Sequence, residues 1–318
     1  MQTHHTIATT TSLRRAFIPL AIGFAFLIDS SSARAAVITM NGNDGAGASS
    51  FNSGAHWTGG AAPVAGTDYS TGGFQLRTPG DGNNYTFAGD SLTVTGSQLT
   101  YKGSGNTTIT INNLHLNGGY VNASSAGFTL AGSVFLDAAG TNANFYYTAG
   151  SIPTTTITAA VGGTGLLKTS GAGTWILSHA NNTYSGGTWI GGSGNLDVKA
   201  DGALGTGNIQ LTASNLLTLE GGTTNNYIAN TATLTLSQQG TISLYLNFTG
   251  TDSLAGVNLW GTNYTTYGQT FGRVGSGATH EYSWITGNGL LQIVPEPATW
   301  ALLAFSLTTV MVLRRRRN

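Results

Sequence analysis

The sequence predicts an all-β chain whose strands are short enough to be the rungs of a solenoid. Three observations carry this reading. Apolar and polar residues alternate over short stretches such as Leu92-Thr93-Val94, Ile109-Thr110-Ile111, Leu114-His115-Leu116, Leu196-Asp197-Val198 and Leu234-Thr235-Leu236, which is the period of a strand with one buried face. Gly, Asn and Ser bound these stretches, and 47 glycines among 318 residues supply turn conformations. No helical period appears outside the two termini. A sandwich or a barrel also uses many short strands, but such short strands recurring in one dimension favour a solenoid.

Composition narrows the function. There is no Cys, so a disulfide framework, a zinc ribbon and a thiol nucleophile are excluded. Only 8% of residues are charged and the formal net charge is zero, which gives no electrostatic reason to expect nucleic-acid binding. That neutrality comes from arginines at the two ends. Between residues 36 and 293 the acids are Asp44, Asp68, Asp81, Asp90, Asp137, Asp197, Asp201, Glu220, Asp252 and Glu281, against Arg77, Lys102, Lys168, Lys199 and Arg273. The central segment is therefore mildly acidic.

Residues 1–35 read as a secretory signal peptide. Arg14 and Arg15 form a positive start, Ala16 to Ile28 an apolar stretch, and Ala33-Arg34-Ala35 a small-x-small cleavage site before Ala36. The apolar stretch is short for a membrane span. The paired arginines loosely match a twin-arginine signal, but Leu13 precedes them, and general Sec export is the simpler expectation.

Residues 36–293 form the β array. Gly165-Leu166-Leu167-Lys168 leads to Gly171-Ala172-Gly173-Thr174-Trp175-Ile176-Leu177, and then to Asn182-Thr183-Tyr184-Ser185-Gly186-Gly187-Thr188. Over residues 162–211 this resembles the autotransporter-associated β-strand repeat, above all at Asn182 to Thr188. The resemblance implies a right-handed parallel β-helix of a secreted protein. Ser170 reads as an insertion, and His179 stands where Gly is usual. Phe51 to Asp68 and Gly250 to Ile293 look like the opening and closing modules of such arrays. Ten to twelve rungs of about twenty-odd residues are expected, with capped ends. No room remains for a membrane barrel of eight long strands.

Val294-Pro295-Glu296-Pro297 is followed by an apolar run, residues 298–313, and by Arg314, Arg315, Arg316 and Arg317. The run is just under the usual span of about 17–25 residues, and the arginines extend it by snorkelling on the cytoplasmic side. The two prolines hold the backbone extended beside the membrane, as a cleavage segment requires. This order closely resembles the PEP-CTERM sorting signal. The resemblance implies processing by an exosortase, transient anchoring in the inner membrane, and a destination at the cell surface or outside the cell, with exopolysaccharide as a neighbour.

Catalytic chemistry is not expected. Asp197, Lys199 and Asp201 share one face at strand spacing, and their simpler reading is a solvated rung edge. His56, His115, His179 and His280 form no ligand pair, Ser185 lies in no nucleophile elbow, and Gly162-Gly163-Thr164-Gly165 lacks the lysine and helix of a phosphate loop. No cofactor or metal is expected. By the repeat's pattern Trp175 points inward while Ile176 and Trp189 point outward. Exposed aromatics of this kind suit stacking on a sugar ring, or simple packing against a neighbouring strand.

Overall fold

In a computed structural model the described residues are 36–124, 126–137, 142–148, 153–212, 214–238 and 242–294. Residues 1–35 and 295–318 lie outside this set, so the signal peptide and most of the sorting segment do too. The described residues are all β, with no helix, and they wind into a β-solenoid of about 8 turns built on parallel sheets. A 15-stranded sheet and a 10-stranded sheet make up the array.

Each turn has three straight segments. One turn runs Thr154–Ile157, Ala160–Gly163, Leu166–Ser170. The next runs Thr174–Leu177, an irregular stretch at 182–185, and Thr188–Ile190. Where the first and second segments are strands, as in Thr154–Ile157 and Ala160–Gly163, they belong to the larger sheet, and the third belongs to the smaller. Register pairs Trp175 with Leu196 and Leu196 with Leu217, so a residue meets its counterpart one turn later. Identical phase puts like on like: Leu130, Ile157, Leu177, Val198, Leu219 and Leu246 follow one another across successive turns, all buried. Burying such a side chain stabilises the fold by roughly 1.5–3 kcal/mol, so a one-residue slip in register would carry that gain away from an entire strand.

The count of about 8 turns falls short of the ten to twelve that uniform rungs imply. The reason is at the ends, where the chain leaves the regular path. At the start, Met40 bridges Trp57 antiparallel, and Thr58 donates to the Thr39 carbonyl at 3.0 Å. The returning segment brings Phe51 and Trp57 against Tyr69 and Phe87, with Trp57 and Tyr69 ring centres 4.9 Å apart. Asp44 covers the edge of the smaller sheet, its carboxylate accepting the backbone N–H groups of Arg77 and Ser50, each at 2.8 Å.

At the far end, Gly256–Leu259 turns back through Trp260 and Gly261 into Thr262–Tyr264, antiparallel. Both turn residues have positive φ, 52° and 91°, the conformation that fits a two-residue hairpin to the twist of its strands. Thr270–Arg273 likewise lies antiparallel to Ile285–Ile293. Phe271, Tyr264 and His280 pack over this end, with the rings of Phe271 and His280 stacked 4.8 Å apart.

Candidate binding face

The ten strands of the smaller sheet contain no Asp or Glu, whereas the larger sheet carries Asp68, Asp197, Glu220, Asp252 and Glu281 in its strands. The smaller sheet does carry Arg77 and Lys168. Its outward side chains form two columns. One runs Gln98, Tyr120, Lys168, Trp189, Gln210, with the backbone of residue 144 in register between Tyr120 and Lys168. The other runs Arg77, Thr100, Asn122, Tyr146, Ser170, of which Thr100 and Asn122 are buried.

Aromatic rings cluster on this face. Tyr120 and Tyr146 meet edge to face at 6.1 Å, and Tyr146 is 37% exposed. The Lys168 ammonium lies 4.4 Å from the centre of the Trp189 ring, within reach of the ring's negative face. Trp189 folds across Gly191, where a Cβ would sit 1.7 Å from the far edge of the indole. A ladder of polar groups runs beside the rings: Asn122 Nδ2 donates to Gln98 Oε1 at 2.8 Å, Thr148 Oγ1 to Asn122 Oδ1 at 3.0 Å, and Gln75 Nε2 to Thr100 Oγ1 at 2.8 Å.

The sequence placed Trp189 and Ile176 together as outward residues, and the structure separates them. Ile176 belongs to the larger sheet, between Thr156 and Asp197, so no single ligand contact on one face uses both. Trp175 is fully buried, stacked on Tyr147 at 4.6 Å. Val294 donates its N–H to Leu254 at 3.0 Å and ends the described array. Ala36 is exposed just before the first strand. Ala33, Ala35, Pro295, Glu296, Pro297 and Arg314 to Arg317 lie outside the described residues.

The Asp197, Lys199 and Asp201 group also divides. Lys199 sits 3.3 Å from Asp197 Oδ2 and 2.7 Å from Glu220 Oε1. Partial burial and the nearby Glu220 charge push the Asp197 carboxyl up, while the Lys199 hydrogen bond, helped by Asn247, holds Glu220 down. The hydrogen bond to Glu220 raises Lys199. Asp201 lies past the strand, in a turn. Burial opposes its ionisation, but the backbone N–H groups of Thr224, Thr223 and Asn226 outweigh this and hold it down at about 2. Strand spacing puts alternate residues on one face only while the chain stays extended, and here the strand ends at Val198.

The Asn182 to Thr188 stretch makes contacts between turns. Asn182 Oδ1 accepts the Val161 N–H from the preceding turn at 2.8 Å, and Nδ2 donates to the Ala203 carbonyl of the following one at 2.9 Å. Tyr184 and Thr188 share a buried hydroxyl contact at 2.6 Å. Gly187 has φ 93°, and a Cβ there would meet the Asn208 carbonyl oxygen at 2.6 Å, so no other residue fits without a backbone shift. Of the histidines, His115 hydrogen-bonds Asp137 at 2.7 Å and stacks on Phe135.

Sequence reasoning missed Tyr120, Tyr146, Lys168, Arg77 and Glu220. A usable signal existed for the first four: once strands are assigned to the two sheets, the segregation of acids from one of them is visible in the sequence itself. No protein-family model, no curated protein and no solved structure matches this chain.

Proposed function

We propose that this chain is an exported structural or adhesive protein of the cell surface or extracellular matrix, without catalytic activity of its own. The reading supposes right-handed winding, Sec export with cleavage before Ala36, and exosortase processing at Val294 to Pro297 before release from the membrane. The observation that carries it is the use of the most distinctive stretch. Asn182 bonds to both neighbouring turns, the Tyr184 carbonyl accepts the Thr206 N–H, Thr188 donates its N–H to the Asn208 carbonyl, and Gly187 fits against Asn208, which is scaffold work. The alternative use of such a scaffold, binding a carbohydrate such as exopolysaccharide, draws support from the rings of Tyr120, Tyr146 and Trp189. A polysaccharide lyase or hydrolase would need its acid and base among Asp197, Lys199 and Glu220, and the ion pairing of Lys199 with both carboxylates accounts for that cluster structurally.

The test is localisation of the full chain, tagged within an exposed loop, in its native type of host. With Pro295-Glu296-Pro297 intact the protein is expected at the surface or in the medium. With all three replaced by Ala it is expected to stay in the membrane fraction. Finding both forms in the cytosol overturns the proposal.

A further inference from the structure

We propose that the smaller sheet's outer face binds a carboxylate-bearing polysaccharide, one strand of which crosses successive turns from Arg77 and Tyr120, over Tyr146, to Lys168 and Trp189. The inference rests on the surface role above and names the ligand class for it. Three observations combine. First, charge is segregated: none of this sheet's strands carries an acid, though acids outnumber bases in the chain between residues 36 and 293. An acidic chain whose smaller sheet has no carboxylate in its strands, and only the buried Asp44 at its first edge, presents that sheet as the face where a polyanion meets least like charge. Second, Tyr120, Tyr146 and Trp189 offer ring surfaces to the apolar faces of pyranoses. Third, the Gln98 amide and the Thr148 hydroxyl lie alongside, each held by a hydrogen bond to the buried Asn122 between them.

Geometry favours a strand running across the turns. Neighbouring parallel strands are about 4.8 Å apart, a step comparable to one sugar of an extended chain. Lys168 now lies over Trp189; its flexible stem lets it move aside to a carboxylate while the indole receives the sugar. A nucleic acid fits less well, because two cations on the face neutralise few phosphates of a strand whose affinity is mainly electrostatic.

The experiment is affinity electrophoresis of the purified full chain in gels containing calcium-free alginate, dextran, or single-stranded oligothymidylate. Alginate is expected to retard the wild type and dextran to leave it unretarded. Trp189→Ala and Lys168→Gln are each expected to raise the alginate dissociation constant about fivefold or more, with Trp189→Phe restoring most of it. A Glu220→Gln change on the other sheet is expected to leave retardation unchanged. Equal retardation by dextran, stronger retardation by oligothymidylate, or identical behaviour of wild type and the Trp189 and Lys168 variants overturns the inference. Surface localisation is read separately, so a protein that reaches the surface but ignores alginate defeats this inference alone.

Discussion

The carboxylate of Asp252 reaches the backbone N–H of Ile228 from inside the core, at 3.2 Å. Asp252 stands where the next turn has Leu291, so an ionisable group occupies a column otherwise reserved for apolar residues. The cause is the stretch at 226–229, which is not strand and leaves Ile228 without a sheet partner. A buried amide of this kind must find an acceptor, and Asp252 supplies one. Burial pushes its carboxyl up to about 8, against the backbone N–H bonds from Ile228, Ser253 and Tyr227, with the Asp201 charge adding to the rise.

Stability should therefore fall as pH rises. The unfolded chain loses the Asp252 proton near 3.8 and the folded chain keeps it to about 8. Between those values the folded state holds the extra proton, so each step upward in pH favours unfolding, and the loss is complete above about 8. Asp252→Asn keeps an acceptor for Ile228 and cannot ionise. Thermal melts from pH 4 to pH 9 should show this dependence reduced in the variant. At pH 9 the variant should be more stable by about 1–3 kcal/mol.

Asn182→Ala removes two bonds to different turns and leaves the Val161 N–H and the Ala203 carbonyl unpartnered. The expected cost is about 2–4 kcal/mol, read from the midpoint of urea unfolding. Asn182→Asp should recover little, because a carboxylate still accepts from Val161 but faces the Ala203 carbonyl with no donor.

Two glycines separate strain from packing. Gly187→Ala forces a Cβ to 2.6 Å from a backbone oxygen at positive φ and should cost about 2 kcal/mol or more. Gly191→Ala meets only the far edge of the Trp189 indole, which can swing away. Its expected cost is under about 1 kcal/mol, accompanied by a shifted indole N–H resonance for Trp189.

Neutralising Glu220 tests the charge cluster. Glu220→Gln removes one of the two influences that raise Asp197, burial being the larger. In a carboxyl NMR titration Asp197 should ionise at lower pH in the variant. Stability should change by less than about 1 kcal/mol, as is usual for solvent-screened ion pairs.

The scaffold was legible because its evidence is local. Leu196-Asp197-Val198 alternates within one strand, and the same phase returns at Leu217 and Leu219, so inward positions such as Leu196 and Val198 follow from alternation, while that of Trp175 rests on the repeat's pattern. What escaped depends on phase between turns. Tyr120 and Tyr146 become neighbours only through the lengths of the connections between them. Glu220 reaches Lys199 from the next turn, while Asp201, much closer in sequence, is carried away by a bend after Val198. The array's end points escaped for a related reason. Met40 with Trp57, and Leu259 with Thr262, reverse the chain antiparallel, and alternation does not reveal strand direction.

Those reversals have a consequence of scale. A stack of identical layers contains nothing that tells it when to stop, yet here chain running antiparallel lies against both termini of the stack, so the parallel register is interrupted there. About 8 turns at about 4.8 Å each give a measured spacer, not an open-ended thread. Inserting or deleting one turn would lengthen or shorten that ruler by a single strand spacing while leaving both reversals intact.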